Sequence, residues 1–193
     1  MKEQVDLLKK IVKEFKNSQI EYMISGSFGS TLYGEVRATN DIDIVIDCTI
    51  GQLENFVESI ESNYYVSNEA AKEAFRQRSM FNIIDYSTGV KIDLIIRKKR
   101  AYSIEEFSRR RSIQFEDEEF LFVSPEDSIL SKLEWAKLGE SERQFRDAVG
   151  VALVQWEHLD IEYLHKWAKN LDMEELLEDL IQSVKKLFEN DKF

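Results

Sequence analysis

A chain of 193 residues with 43% hydrophobic and 33% charged side chains is long enough for one compact core, or a core with a helical appendage, but short for two independent domains. Its formal charge of −11 argues against a broad nucleic-acid-binding surface, and its single cysteine excludes an internal disulfide or a thiolate zinc cluster. No apolar run reaches the ~18 residues of a membrane span, and Met1-Lys2-Glu3-Gln4 leads into an amphipathic pattern rather than a signal peptide, so a cytoplasmic protein is expected.

Val5, Leu8, Ile11, Val12 and Phe15 recur at helical spacing and predict a helix over 3–17. An apolar strand at 20–24 runs into Ser25-Gly26-Ser27. Gly26 permits a tight turn and a close ligand approach, and Phe28 to Tyr33 can start a short helix whose first amides attract phosphate. After thirteen intervening residues comes Asp41-Ile42-Asp43-Ile44-Val45-Ile46-Asp47. Alternation puts Asp41 and Asp43 on one face of a strand and Ile42, Ile44 and Ile46 on the other. Such a carboxylate pair beside apolar neighbours needs a positive partner, and a divalent cation is the usual one. Thirteen aspartates in this length would give about one Asp-x-Asp by chance, so the pair draws its meaning from its surroundings. In the intervening loop, Arg37 has the fork that suits carboxylates or phosphate oxygens, and Thr39 stands close by in sequence.

Thr49-x-x-Gln52 is a capping box ahead of the helical face Leu53, Phe56, Val57 and Ile60. Tyr64 to Val66 is a short strand, residues 69–77 are helical, and Met80–Tyr86 with Val90–Ile96 flank Ser87-Thr88-Gly89 as a hairpin. Asp85, next to that turn, is expected to face solvent. Asp93 interrupts the second arm, and with strands about 4.8 Å apart it can join Asp41 and Asp43 in a three-carboxylate cluster. Arg97-Lys98-Lys99-Arg100 and Arg109-Arg110-Arg111 are placed to rim that site, where they can bind triphosphate or RNA phosphates. Between them Ser103-Ile104-Glu105-Glu106 reads as a capped helix start, and Phe120 to Val123 as a strand.

Ser124-Pro125-Glu126-Asp127 opens a helix, and everything beyond it reads as helical. Ile129, Leu130, Leu133 and Ala136 line one face as far as Gly139; Phe145, Ala148, Val149, Ala152, Leu153 and Trp156 line the next, with further helices over 160–170 and 173–189. Lys132 falls at the edge of the first stripe, and an inward-leaning lysine needs an anion, which the carboxylate cluster or a triphosphate would supply. Arg143 and Asp147 are spaced for a surface i,i+4 ion pair. Cys48, His158 and His165 are expected to play no part in chemistry.

Gly26-Ser27, the spacer, Asp41-x-Asp43 and the later Asp93 together resemble the fingerprint of the nucleotidyltransferase superfamily with the DNA polymerase β-like fold, particularly its small prokaryotic members, over about residues 20–97. The resemblance implies an α/β (α+β) architecture: a mixed β-sheet with flanking helices as core, residues 1–123, followed by a C-terminal helical subdomain, residues 124–193. It implies that Gly26 and Ser27 hold the triphosphate, with Arg37 and Thr39 added to the nucleotide-binding set, and that Asp41, Asp43 and Asp93 hold two magnesium ions. The activity implied is transfer of a nucleoside monophosphate from a triphosphate to a hydroxyl, with Asp93 as general base or as orienter of the activating metal. RNA, protein and small-molecule acceptors stay open, as does oligomeric state. The alternative is a non-catalytic member of the fold that binds nucleotide or a protein partner.

Lys132-Leu133-Glu134-Trp135-Ala136, followed by Arg143 and Asp147, is similar to the C-terminal motifs of the abortive-infection toxin nucleotidyltransferases of type IV toxin–antitoxin systems. That resemblance implies that Lys132 and the aspartate contribute to the active site, and some members of the group act on transfer RNA. Those toxins commonly carry lysine before the aspartate, where Arg146 stands here.

Overall fold

The computed structural model describes residues 2–30, 32–33, 41–115, 118–139 and 141–190. Two compact units emerge: residues 1–28 with 38–123, and residues 29–37 with 124–193.

The first unit is built on a seven-stranded mixed sheet in the order β3-β4-β5-β2-β1-β7-β6. Its strands are β1 (Glu21–Ser25), β2 (Ile42–Asp47), β3 (Tyr64–Val66), β4 (Met80–Asp85), β5 (Lys91–Ile96), β6 (Arg111–Phe115) and β7 (Glu118–Phe122). β2 runs antiparallel to β1 and parallel to β5, so the strand bearing the Asp pair lies centrally beside the strand bearing Asp93. One face of the sheet is apolar: Tyr22, Ile24, Ile42, Ile44, Ile46, Ile92, Leu94 and Ile96 are all buried. Helices α1 (Lys2–Asn17) and α3 (Ile50–Ile60) cover it, with the Phe15 ring stacked on Phe56 at 5.0 Å and on Tyr22 at 5.7 Å. The Thr49 capping box starts α3 as expected, its hydroxyl accepting from the Gln52 amide and the Gln52 side chain accepting from the Thr49 amide.

Helix α2 (Gly26–Ser30) follows β1 directly, and α4 (Asn68–Gln77) precedes β4. On the other face of the sheet, Phe107 from α5 (Ala101–Ser108) packs with Met23, Val123 and Val45. Helix α5 begins earlier than the Ser103 signal implied. Arg100 is its N-cap without a side-chain cap, and Ser103 is a buried residue of the first turn that accepts a hydrogen bond from the Arg100 guanidinium at 2.9 Å. The hairpin β6–β7 contains a strand that sequence patterning did not reveal.

Asp85 corrects a second expectation. It shares a strand face with Phe81 and Ile83 and is only 2% exposed. Its Oδ1 accepts from the Ser87 amide at 2.8 Å and the Thr88 amide at 2.9 Å, closing the hairpin turn from within. Burial pushes its carboxyl up, but the bonds from Ser87 and Thr88 outweigh burial and hold it below the ordinary value. A depressed folded value stabilises the fold above the unfolded carboxylate range, and that stabilisation disappears as pH falls through the folded value. Asp85→Asn is therefore expected to cost about 1 kcal/mol at neutral pH, because charge-assisted bonds become neutral ones. Urea melts should show the difference between wild type and variant shrinking below about pH 4.

The second unit is helical: α6 (Pro125–Gly139), α7 (Glu142–Gln155), α8 (Ile161–Asn170) and α9 (Glu174–Asn190). Ile129, Leu130 and Leu133 from α6, Ala148, Val151 and Ala152 from α7, Leu164 and Ala168 from α8, and Leu177, Leu180 and Val184 from α9 form its interior. The α6 start carries more than an N-terminal charge preference. Fully buried Asp127 accepts from the Ser124 hydroxyl and from the Tyr163 hydroxyl, each at 2.6 Å, and buried Glu126 accepts from the Asp160 amide at 3.2 Å. Both acids thus tie α6 to the start of α8. No helix among the described residues is long and apolar enough to cross a membrane.

Candidate functional site

Ser25 on β1 is the register partner of Asp43 on β2, Asp43 of Asp93 on β5, and Asp93 of Asn82 on β4. Paired residues on neighbouring strands project to the same side, so these four form one row across the sheet, on the face opposite the isoleucine layer. Asp43 and Asp93 stand side by side where strands are about 4.8 Å apart. Asp93 is 6% exposed, and its Oδ1 has no hydrogen-bond partner among the described residues.

Gly26 meets this row from the end of β1. Its φ is +61°, and a Cβ built there would lie 1.8 Å from Asp43 Oδ2. The carboxylate therefore occupies space that only glycine leaves open, which sets the start of the Gly-Ser turn directly against Asp43. Ser27 follows as the second residue of α2. Arg37 and Thr39 lie outside the described residues.

Lys91 is the residue that sequence reasoning missed. Two positions before Asp93 on β5, it projects on the same face. Its ammonium lies 2.8 Å from Asp93 Oδ2 and 3.5 Å from Asp41 Oδ2, and the hydrogen bond to Asp93 holds it above the usual lysine range. Strand parity alone would have found it.

Among the described residues no three His, Cys, Asp or Glu side chains converge as a metal-binding group, and Lys91 bridges Asp41 and Asp93. The residues nonetheless suit a magnesium ion. The donors are all carboxylate oxygens, and one of them, Asp93 Oδ1, is buried and unsatisfied, as a hard divalent cation would require.

Two arginines of the basic runs are engaged away from this row. Arg97 pairs with Asp47 at 2.6 Å and Arg110 with Glu21 at 3.1 Å, and both guanidinium groups lie over the Phe107 ring. Glu21 and Asp47 are register partners at the other end of the β1–β2 pair, four residues or about 13 Å from Ser25 and Asp43. Arg100 lies over the Tyr102 ring. These arginines fasten α5 and the strand ends.

In the second unit, Lys132 is 5% exposed, and its ammonium lies 3.6 Å from Asp147. Asp147, expected in a surface pair with Arg143, reaches inward from α7 to α6. Cys48 is half-buried, and burial first, then the neighbouring Asp47 charge, pushes its thiol up to about 11, which suits no nucleophile at neutral pH. His158 and His165 are exposed.

No protein-family model matches this sequence, and no curated protein matches it in sequence. Solved structures do match in shape. The antibiotic-resistance factor ANT(2'')-Ia is 14% identical, with a TM-score of 0.53 over 98% of this chain and 98% of its own. An antigenic nucleotidyltransferase-like protein from Paracoccidioides brasiliensis is 14% identical, with a TM-score of 0.52 over 76% of this chain and 73% of its own. The lincosamide antibiotic adenylyltransferase LnuA, in its lincomycin-bound form, is 15% identical, with a TM-score of 0.51 over 75% of this chain and 93% of its own. At these identities the likeness is one of architecture. With its mixed seven-stranded sheet, flanking helices and helical C-terminus, this chain has the nucleotidyltransferase fold.

Proposed function

We propose that the protein transfers a nucleoside monophosphate from a nucleoside triphosphate to a hydroxyl acceptor. The observation that carries this reading is the row of Asp43 and Asp93 with Gly26 fitted against Asp43. Asp41, Asp43 and Asp93 would hold two magnesium ions, which supply charge neutralisation for the attacking and leaving oxygens. The Gly26-Ser27 turn offers backbone and a hydroxyl to the triphosphate. In this reading buried Asp93 would hold the ion that activates the acceptor hydroxyl, whose proton leaves to solvent as the oxygen attacks. The acceptor oxygen then bonds to the α-phosphorus, the bond to the bridging oxygen breaks, and pyrophosphate leaves.

Two of the similar structures are named for antibiotic resistance or antibiotic adenylylation, which supports a small hydroxyl compound as one acceptor class. The engagement of Arg97 and Arg110 at the far end of β1 and β2 takes those two arginines out of the argument for RNA that the basic runs had suggested.

The test incubates the protein with each α-labelled triphosphate and magnesium. Transfer RNA, small molecules from cell extract, an aminoglycoside and a lincosamide are offered separately, with Asp41→Ala as control. Label on any acceptor, lost in the variant, is the expected result. Tight nucleotide binding without incorporation in any arm would favour a non-catalytic nucleotide-binding role.

A further inference from the structure

Lys91 occupies a place that the proposed chemistry leaves without a function. We propose that its ammonium is a built-in placeholder for the cation that Asp41 and Asp93 share, so that a divalent ion binds between them only by displacing it. The inference rests on reading the carboxylates as a metal site.

Three observations carry it. The ammonium touches Asp93 Oδ2 at 2.8 Å and Asp41 Oδ2 at 3.5 Å, so it stands where an ion ligated by both would stand. Asp93 cannot turn away, because its side chain is 8% exposed and β5 is paired on both sides. Lys91 can leave, because its side chain is 36% exposed on a flexible four-carbon stem. The two partners are therefore unequal: the carboxylate is fixed and the ammonium is removable.

The physical consequence is a site with two cationic states. Without metal, Asp41 and Asp93 would stand as like charges around one point, and Lys91, in contact with both, offsets that repulsion. With metal, the divalent ion takes over the neutralisation and the ammonium swings to water. Metal affinity is then the difference between two cations competing for the same oxygens, which weakens binding of the free ion. It also raises the carboxylates' dependence on a cation once Lys91 is removed.

The experiment titrates manganese(II) into wild type, Lys91→Met, Lys91→Gln and Lys91→Arg, following free manganese by electron paramagnetic resonance. Thermal melts in chelator and in magnesium are run in parallel. Lys91→Met is expected to bind manganese about two- to fivefold more tightly than wild type, the size of one half-exposed ion pair. Its melting temperature should fall in chelator and recover in magnesium, giving a larger magnesium-induced rise than wild type shows. Lys91→Gln keeps a hydrogen-bond donor but no charge, so it should match Lys91→Met; Lys91→Arg keeps the charge and should not tighten binding. Wild-type or weaker manganese affinity in both uncharged variants overturns the placeholder alone, provided wild type binds. Absence of manganese binding in every protein overturns the placeholder together with the metal site beneath it. Should Lys91→Met lose its far-ultraviolet circular dichroism, Lys91→Gln decides.

Discussion

Gly26→Ala is expected to destabilise the first unit and, on the proposed chemistry, to abolish nucleotidyl transfer. Two effects add. A φ of +61° costs an alanine roughly 1 kcal/mol or more, and its methyl would sit 1.8 Å from Asp43 Oδ2 and 2.5 Å from Asp43 Cγ. Such an overlap has to be relieved by rotating the carboxylate out of the row or by moving β1 against β2. A reasonable total is about 2–3 kcal/mol, in the range of overpacked sites. The activity loss should be larger than the stability loss, because a shift of about 1 Å in a reacting group already costs on the order of 100-fold. A double-mutant cycle isolates the contact. In an Asp43→Ala background, Gly26→Ala should lose the overlap and retain only the backbone strain. Equal costs in both backgrounds would show that the contact with Asp43 is not what selects glycine.

The second large effect is expected at Asp43 itself. Asp43→Asn keeps the shape of the side chain beside Gly26 but removes its charge. On the proposed chemistry, transfer should fall by about 100- to 1,000-fold, the size of losing one preorganised charge-stabilising group. Stability should move little, and upward if at all, because Asp93 loses a like-charged neighbour in its row. Turnover with the acceptor that the labelling assay finds, measured beside a urea melt of the same preparation, checks both halves. A variant with wild-type turnover would remove Asp43 from the chemistry, whatever the fold.

The amphipathic helix α1, the capping box of α3, the hairpin β4–β5 and the Ser124 start of α6 were legible in the sequence because each rests on a local rule. Strand parity also placed Ile42, Ile44 and Ile46 in the core, all 0% exposed, and left the acidic positions on the other face. The same rule was not carried far enough. Asp85 shares parity with Ile83 and so belonged inside, and Lys91 shares parity with Asp93 and so belonged at the site. β6 stayed hidden because its alternation rests on Ile113 and Phe115 alone, both only half-buried, directly after a run of arginines. The roles of Arg97 and Arg110 depended on partners 50 and 89 positions away in sequence, Asp47 and Glu21. Asp147 was misread because it lies one step from Ala148, at the border of the buried stripe, where helical spacing alone does not decide between solvent and a buried lysine.

The row of Ser25, Asp43, Asp93 and Asn82 ties the tolerance of this protein to deletion and insertion to its chemistry. A strand that slips by one residue turns every side chain to the opposite face. Losing one residue ahead of Asp43 within β2 would therefore press a carboxylate into the isoleucine layer and lift an isoleucine into the row. The cost of that exchange falls on folding before it reaches catalysis. Length changes at this row should be purged as folding failures, whereas a substitution such as Asp43→Asn leaves a folded, silent protein. The two kinds of damage would separate cleanly in a screen that scores soluble yield and activity independently.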